Sequence, residues 1–251
     1  MNIPQFIDIH THIWGSGVRL NVDQKKQLVA GMDRFNAEGF VVLPLFGEQH
    51  PSPEEIRIGN DEASKFARED NRVIPFVTVH PWHGERALKE LRHRMEEQQF
   101  AGMKIWVSHA DQPNCYPLIE QMIAYGKPSL IHALHKSVGQ LPLESDATHI
   151  ARLANRYPEA KILMAHIGGN FIHSCGAIAD CPNVWTDPSG SYCETGMLEY
   201  AVRMLGAGRI VFGSDAPNAG LINNIAKVMA ADLNDADKHR IMYANAKELL
   251  S

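Results

Sequence analysis

Short apolar runs rich in β-forming residues recur along this chain about once every 29 residues. That interval suits a repeating unit of one strand, one helix and their connections. The runs are therefore candidate strands of a largely parallel sheet. They occupy residues 6–13, 40–45, 73–79, 102–107, 129–134, 161–167, 183–187 and 209–213.

Helical patterns fill the intervals between these runs. Residues 23–38 repeat apolar side chains at a spacing of three to four and precede Gly39, which suits a helix C-terminus. Comparable patterns predict further helices over residues 118–125, 147–157 and 235–250. Alternating strands and helices without a Pro-, Gly- or Ser-rich linker predict a (β/α)8 TIM barrel of the α/β class.

The competing architecture is an open, doubly wound sheet. Such sheets carry a Gly-rich phosphate-binding turn after the first strand, and the first run here lacks that turn. The length of 251 residues also suits one α/β barrel. We therefore predict a single barrel domain over residues 1–251.

Charge and targeting signals narrow the function classes. A formal net charge of −5 gives no whole-molecule attraction to nucleic acid or to an acidic membrane. The first residues lack the basic and apolar regions of a secretory signal, and no apolar run is long enough to span a bilayer. The four cysteines form no Cys-x-x-Cys pair, which indicates reduced thiols. We predict a cytoplasmic protein with neither nucleic acid nor membrane as a partner.

Functional groups of a TIM barrel lie at the carboxyl ends of its strands. The first run contains Asp8-Ile9-His10-Thr11-His12, and residues two apart on a strand point to the same side. His10 and His12 can therefore face the barrel mouth together and bind one ion. Without an ion or hydrogen-bond partners, two imidazoles buried there would be costly.

Four other runs end in polar residues of the same kind. Lys104 lies on the fourth run, His132 and His166 lie near the ends of the fifth and sixth, and Asp215 follows the eighth. Each one alone could be an ordinary hydrogen-bonded group at a strand end. Together they surround one rim with metal-ligating side chains and a cation.

This ordered set resembles the amidohydrolase superfamily, and within it the amidohydrolase-related branch of small hydrolases and non-oxidative decarboxylases. The chain is near the short end for that branch, with little room for inserted loops. The motifs that carry the resemblance extend over essentially the whole chain: Asp8-Ile9-His10-Thr11-His12, Gly102-Met103-Lys104, Ile131-His132, Ala165-His166-Ile167-Gly168-Gly169, Gly213-Ser214-Asp215 and Asn245-Ala246-Lys247-Glu248-Leu249-Leu250.

The resemblance, taken with ligand chemistry, implies a metal site. His10 and His12 would hold a divalent ion, completed by Asp215 and by either His132 or His166. Zn²⁺ is the expected ion, with Mn²⁺ or Fe²⁺ as alternatives, and one ion is favoured over two.

The resemblance also implies catalytic roles. Asp215 would take the proton of a metal-activated water, and His166 would orient that water or polarise the substrate. Lys104 would contact the substrate, or would be carboxylated and bridge two ions, as in some superfamily members.

The leading hypothesis is a metal-dependent hydrolase that cleaves a C–N or C–O bond of a small molecule such as an amide, cyclic amide or lactone. The alternative is a non-oxidative decarboxylase of a small aromatic or unsaturated acid, with the same ligands. An acid substrate needs a cation, and the sequence offers only Lys104 at a strand end and Arg19 in the loop after the first run. Hydrolysis is favoured for that reason.

Two further functions are less favoured. Short metal-dependent DNase relatives have a glutamate on the fourth strand where this chain has Lys104, which argues against a phosphoesterase or nuclease. A non-catalytic binding barrel would be expected to have lost ligands, and none is lost. A homo-oligomer is compatible with such an enzyme, but no exposed apolar stripe maps an interface.

Several other polar or aromatic residues have structural interpretations. Asp187 and Ser189 could position His166 or the substrate, and Trp14 could form a pocket wall or pack the barrel mouth. Glu48 could touch the metal or the substrate and His80 could line the pocket, but loop or structural roles are favoured for both. The remaining candidates are interpreted as ordinary helical or surface residues: His93, His149, His173, His239 and the charged face 86–97.

Overall fold

The computed structural model describes residues 3–16, 19–46 and 49–251. Its strands form one sheet in the order β2-β1-β3-β4-β5-β6-β7-β8, in which β2 pairs antiparallel with β1 and the others run parallel. The strands are β1 Phe6–Ser16, β2 Arg19–Leu20, β3 Ala37–Phe46, β4 Val73–Val79, β5 Gly102–Ile105, β6 Ser129–Ile131, β7 Ile162–Met164 and β8 Val184–Thr186.

The predicted eighth barrel strand, residues 209–213, is an extended segment without a regular ladder. Its Val211 N–H donates to the Thr186 carbonyl at 2.9 Å, and its Phe212 carbonyl accepts from the Ile9 N–H at 2.9 Å. The Phe212 N–H bonds to the Ile241 carbonyl outside the sheet, which interrupts the strand pattern. We call residues 209–216 the closing segment, because it joins β8 to β1 and confirms the predicted barrel.

Two neighbouring hydrogen bonds hold the closing segment against β1. The Asp215 N–H donates to the His10 carbonyl at 2.7 Å, and the Ser214 N–H donates to Asp8 Oδ1 at 3.0 Å. A Cβ on Gly213 would lie 2.9 Å from the Cβ of His10, so only glycine permits this approach.

Helices alternate with the strands as expected. The helix predicted over residues 23–38 ends at Arg34, because Asn36 adopts a φ of 57° and β3 begins immediately after it. The last predicted helix is one continuous helical stretch in which a π-helical turn separates α9 from α10. The helices are α1 Val22–Arg34, α2 Pro53–Glu69, α3 Glu85–Arg92, α4 Tyr116–Tyr125, α5 Ala147–Arg156, α6 Phe171–Ala177, α7 Met197–Leu205, α8 Leu221–Ala230, α9 Asp235–His239 and α10 Asn245–Leu250.

Apolar side chains fill both the inside of the barrel and the layer between strands and helices. Gly102 on β5 lies against Phe76 on β4, where a Cβ would come within 2.5 Å of the ring. Close packing of this kind leaves no room for an added methyl group. The buried cluster inside the barrel consists of Ile9, Val41, Leu43, Phe76, Leu130, Leu163, Val211 and Leu249.

The charged stretch 86–97 is exposed only in part, which corrects the interpretation from the sequence. Arg94 is 1% exposed and pairs with Asp61 and Glu90, each at 2.7 Å. A buried guanidinium requires such partners, and one of them lies on the neighbouring helix, where charge patterning could not locate it.

Two other features bear on the setting of the protein. The four cysteines are all free thiols. Within the part of the chain that the structure describes, none of the helices has the length and apolar character needed to cross a membrane.

Candidate active site

The predicted site residues come together at the carboxyl ends of the barrel strands. His10 and His12 lie on β1, Lys104 on β5, His132 directly after β6 and His166 after β7, while Asp215 follows in the closing segment. All are buried except Asp215, whose side chain is 15% exposed. The barrel mouth therefore encloses the whole predicted set.

Three of these residues form a candidate metal centre. His12 Nε2 lies 2.8 Å from Asp215 Oδ1, and His10 Nε2 lies 4.0 Å from the same oxygen. The three donor atoms lie within 4.8 Å of one another. Two imidazoles and a carboxylate are a donor set that suits Zn²⁺ and other divalent transition metals.

The tautomer of His12 shows whether its free lone pair faces the proposed metal position. His12 Nδ1 lies 3.3 Å from the Leu43 carbonyl, so the hydrogen-bond pattern assigns the ring proton to Nδ1. The Nε2 lone pair then faces the carboxylate of Asp215, and two acceptors at 2.8 Å need a cation between them. The residues present therefore fit a bound divalent ion.

The backbone of β1 is adapted to this arrangement. Between Asp8 and Thr11, β1 advances three residues while β3 advances two, a register shift like that of a β-bulge in the stretch that contains His10. Bulges of this kind re-aim side chains near functional sites. The rings of His10 and His12 are 5.0 Å apart and nearly perpendicular.

Asp187 orients His10. Its Oδ2 accepts a hydrogen bond from His10 Nδ1 at 3.0 Å, which leaves Nε2 free to face the mouth. Its Oδ1 accepts from the backbone N–H groups of His166 and Ser189 at 3.1 and 3.0 Å. The sequence suggested Asp187 as a partner of His166 or the substrate, and the structure places it on the His166 backbone and on the His10 ring.

His166 and His132 form a second group. His166 Nε2 lies 3.3 Å from His132 Nδ1, and Ser189 Oγ lies 2.9 Å from His166 Nδ1. Burial lowers the pKa of His166 to about 4, against the attraction of Asp215. The ring is therefore neutral near pH 7.

Glu144 is a site residue that sequence reasoning missed. Its Oε1 accepts from His132 Nε2 and from Lys136 Nζ, each at 2.7 Å. Burial alone raises the pKa of Glu144, but the hydrogen bonds from His132, Lys136 and the Leu141 N–H outweigh it and hold the pKa at about 2. Glu144 lies in a loop with no periodic pattern, so the sequence carried no signal for it.

These contacts define one consistent set of tautomers. With its proton on Nε2 facing Glu144, His132 presents the Nδ1 lone pair to His166. His166 then carries its proton on Nε2 and accepts from the Ser189 hydroxyl through Nδ1. His132 thus lies beside the three-donor centre, with both ring nitrogens already engaged.

Two site residues occupy strained backbone conformations. His166 has a φ of 64° and Asp215 a φ of 63°, values that non-glycine residues rarely adopt. The bonds of their N–H groups to Asp187 and to the His10 carbonyl hold them there. Such strain is typical of positions where function dictates the backbone.

Lys104 places a buried cation beside the metal centre. Its side chain is fully buried, and Nζ lies 3.4 Å from His10 Nε2. Burial lowers the pKa of Lys104 to about 8, opposed by the charges of Asp187 and Asp215. Within the described ranges, no carboxylate oxygen lies within 4.0 Å of Nζ to pair with it.

The outer mouth has an aromatic wall. Trp14 lies two residues beyond His12 on β1, and Trp106 lies two residues beyond Lys104. The two indoles meet edge to face at 5.7 Å. His80 is buried nearby and bonds to the ring of His50 at 3.2 Å.

Two residues considered from the sequence have no described position at the mouth. Glu48 lies outside the described residues, and so does the side chain of Arg19.

A barrel whose mouth gathers two histidines, an aspartate and a buried lysine defines a class of metal-dependent TIM-barrel enzymes. A family model described as amidohydrolase matches residues 7–251, and the chain belongs to this family. No curated protein sequence matches the chain.

Solved structures share the whole fold at low sequence identity. The 2,6-dihydroxybenzoate decarboxylase from Rhizobium is 16% identical, with a TM-score of 0.80 and coverage of 100% of this chain and 99% of that one. A dihydroxybenzoic acid decarboxylase from Polaromonas sp. JS666, with bound manganese and 2-nitroresorcinol, is 19% identical, with a TM-score of 0.78 and coverage of 100% and 97%. A TIM-barrel protein from Bordetella bronchiseptica is 14% identical, with a TM-score of 0.79 and coverage of 98% of both chains. These likenesses confirm the barrel.

Proposed function

We propose that this protein is a metal-dependent, non-oxidative decarboxylase of a small aromatic or unsaturated acid. The observation that carries the proposal is Lys104, a fully buried cation next to His10 that has no carboxylate partner among the described side chains. A buried charge is costly unless an opposite charge neutralises it. The carboxylate of an acid substrate would be that partner.

The comparisons support this choice over hydrolysis, which the sequence favoured. Two of the similar structures are described as dihydroxybenzoate decarboxylases, and one of them holds manganese and an aromatic inhibitor. The sequence offered few cations for an acid substrate, but Lys104 Nζ lies 3.4 Å from His10 Nε2, inside the cluster of candidate ligands, which supports an acid substrate.

The metal would be held by His10 Nε2, His12 Nε2 and Asp215 Oδ1. The donor set suits Zn²⁺, and the manganese in one similar structure makes Mn²⁺ the alternative. When bound, such an ion supplies Lewis-acid polarisation of a substrate oxygen. Burial, followed by the charge of Lys104, lowers the pKa of His10 well below its usual range, which keeps that ring a neutral ligand.

The remaining residues would bind and orient the substrate. Lys104 would hold the carboxylate. Trp14 and Trp106, two residues further along their segments toward the outer mouth, would form an apolar wall against which a flat ring packs. His166, whose two ring nitrogens are engaged by Ser189 and His132, would line the substrate space as a fixed neutral ring.

Asp215 would carry the proton. Its Oδ1 faces His12, while the described residues donate no hydrogen bond to Oδ2 of this partly exposed side chain. In the reaction the C–C bond to the carboxylate breaks and CO₂ leaves. The electron pair would stay on the carbon that carried the carboxylate and take a proton that Asp215 relays from solvent. Burial raises the pKa of Asp215, but the neighbouring His12 lowers it well below its usual range, so Asp215 would hold this proton only briefly.

Hydrolysis of a C–N or C–O bond is the second candidate, because the matching family model is described as amidohydrolase. Asp215 would then accept the proton of the attacking water and pass it to the leaving group. The two reactions use the same residues but differ in the need for a buried cation.

The test is a panel of benzoates and hydroxybenzoates incubated with the enzyme loaded with Zn²⁺ or Mn²⁺, with CO₂ release as the readout. We expect turnover by the wild type and a loss of about 10- to 100-fold in kcat/KM for Lys104→Met, since a hydrogen bond between charged groups contributes roughly 1.5–3 kcal/mol. The matched control is Lys26→Met, at a side chain that is 76% exposed, and it should retain full activity. Hydrolysis of amides or lactones without CO₂ release from any acid, and with Lys104→Met fully active, would refute the proposal.

A further inference from the structure

A second group of potential ligands lies outside the residues of the catalytic mouth. His135, Asp146 and His173 offer one donor atom each, and these atoms lie within 4.8 Å of one another. From this geometry we propose a second site, for a divalent transition metal, at the rim of the barrel. We call these three residues the rim cluster.

The rim cluster draws its ligands from three separate segments. His135 lies in the connection after β6, Asp146 is the N-cap residue of α5, and His173 lies in the first turn of α6. The His135 N–H donates to the Gly168 carbonyl at 2.6 Å, which anchors the connection beside the turn that carries His166. An ion bound by the cluster would cross-link all three segments.

The carboxylate of Asp146 is set up to give one oxygen to an ion. Its Oδ1 accepts from the N–H and hydroxyl of Thr148 at 2.8 and 2.6 Å and from the backbone N–H of His149 at 3.2 Å. Its Oδ2 receives no hydrogen bond in the described part of the chain and lies 3.9 Å from His135 Nδ1. The helix cap therefore fixes the carboxylate and leaves a free oxygen that points at the imidazoles.

The two imidazoles complete the donor set. The rings of His135 and His173 are 4.8 Å apart and inclined by 37°. Side-chain rotations that move each donor atom by about 1 Å would bring all three to the metal–ligand distances of about 2.0–2.2 Å that zinc requires. Nitrogen donors favour Zn²⁺, Co²⁺, Ni²⁺ or Cu²⁺ over Mg²⁺ and Ca²⁺.

The rim cluster is open to solvent. The His135 side chain is 44% exposed and that of Asp146 is 23% exposed, so an ion can enter directly from solvent and keep water as its remaining ligand. This differs from the buried donors His10 and His12. We therefore expect weaker binding and faster exchange at the rim than in the catalytic mouth.

The rim site would act on the mouth through one connection. Residues 132–146 contain His135 and Asp146 and also Glu144, whose carboxylate holds the ring of His132. An ion that links the connection to α6 would restrict the movements that release this contact. Excess metal would thus stiffen the mouth without entering it.

The experiment uses the enzyme already loaded with one equivalent of metal and titrates it with ZnCl₂ by calorimetry. We expect one further equivalent with a dissociation constant in the micromolar range for the wild type. Zn²⁺ at about 100 times that constant should raise Tm by about 5–10 °C. Co²⁺ at the same site should give visible absorption bands of a low-coordinate ion.

Two variants and one control decide the outcome. His173→Gln should lose the additional equivalent and the zinc-dependent rise in Tm, with an unchanged Tm in the absence of zinc. His239→Gln changes another exposed histidine and should behave as the wild type, and His10→Ala/His12→Ala should still bind an ion at the rim. Identical titrations of the wild type and His173→Gln would overturn the proposal, whatever reaction the catalytic mouth performs.

Discussion

Replacing Glu144 with glutamine is expected to release the ring of His132 while preserving the shape of the side chain. The carboxylate accepts hydrogen bonds from His132 Nε2 and Lys136 Nζ, both at 2.7 Å, and from Gln140 and Leu141 at 3.0 and 3.1 Å. A glutamine has one acceptor oxygen and brings two donors into a site where every neighbour donates. At least one donor then loses its partner.

The magnitude follows from two independent arguments. A buried hydrogen bond to a charged group contributes roughly 1.5–3 kcal/mol, and the partly exposed Lys136 adds up to about 1 kcal/mol, so Glu144→Gln should lose about 2–4 kcal/mol of unfolding free energy. The pKa of Glu144, lowered to about 2, corresponds to about 3 kcal/mol of unfolding free energy contributed by the ionised carboxylate, since each pKa unit is worth roughly 1.4 kcal/mol. Because this pKa is depressed, the stabilisation is present above pH of about 4.3 and is lost as pH falls towards 2.

The assay combines urea unfolding with ¹⁵N NMR of histidine-labelled protein. The wild type should show His132 protonated at Nε2, and Glu144→Gln should shift the ring to mixed tautomers and lower kcat/KM by about 10- to 100-fold. Lys136→Met removes the other contact of the same carboxylate, and it should cost about 1 kcal/mol and leave the tautomer unchanged. An unaltered His132 spectrum in Glu144→Gln, or a wild-type ring protonated at Nδ1, would refute the reasoning.

Three further predictions concern the ligands and the packing. Asp187→Asn should lower the affinity of the mouth for a divalent ion by about 10- to 100-fold in a chelator competition, because the ring of His10 loses its orienting acceptor. An unchanged affinity would contradict this. The double variant His10→Ala/His12→Ala should lose about one equivalent of metal by plasma mass spectrometry, and full retention would exclude these residues as the ligands. Gly102→Ala should lower the unfolding free energy by about 1–3 kcal/mol, because the added Cβ would meet an aromatic ring at 2.5 Å. The control Gly176→Ala lies in open space on a helix and should raise the unfolding free energy by up to about 1 kcal/mol. Equal effects of the two substitutions would argue against the packing explanation.

Most of the mouth is predictable from the sequence because its residues lie at strand ends. The alternation of side chains on a strand and the common direction of parallel strands are local rules, and they are sufficient to place His10, His12 and Asp215 around one rim. The same rules indicate Lys104 and His166.

The parts that were not predicted depend on contacts between loops or between distant segments. Glu144 and the rim cluster lie in or next to irregular connections, where no periodicity relates a residue to its partner. Phe212 leaves the strand pattern because its N–H bonds to Ile241 on the last helix. Arg94 is buried because Asp61 on another helix neutralises it. None of these partners is recognisable from the neighbouring sequence.

The closing segment has a consequence for how the protein is made. The bond from the Ser214 N–H to Asp8 Oδ1 connects residues 206 positions apart, and the third donor of the metal centre is the next residue after Ser214. During synthesis on the ribosome, a nascent chain that ends before Asp215 contains only the histidine pair of β1 from the donor set His10, His12 and Asp215. A complete donor set, and the binding free energy that it adds to folding, exists only after that segment has emerged and joined the first strand. Tight metal loading at this candidate centre would therefore distinguish closed barrels from truncated or partly translated ones.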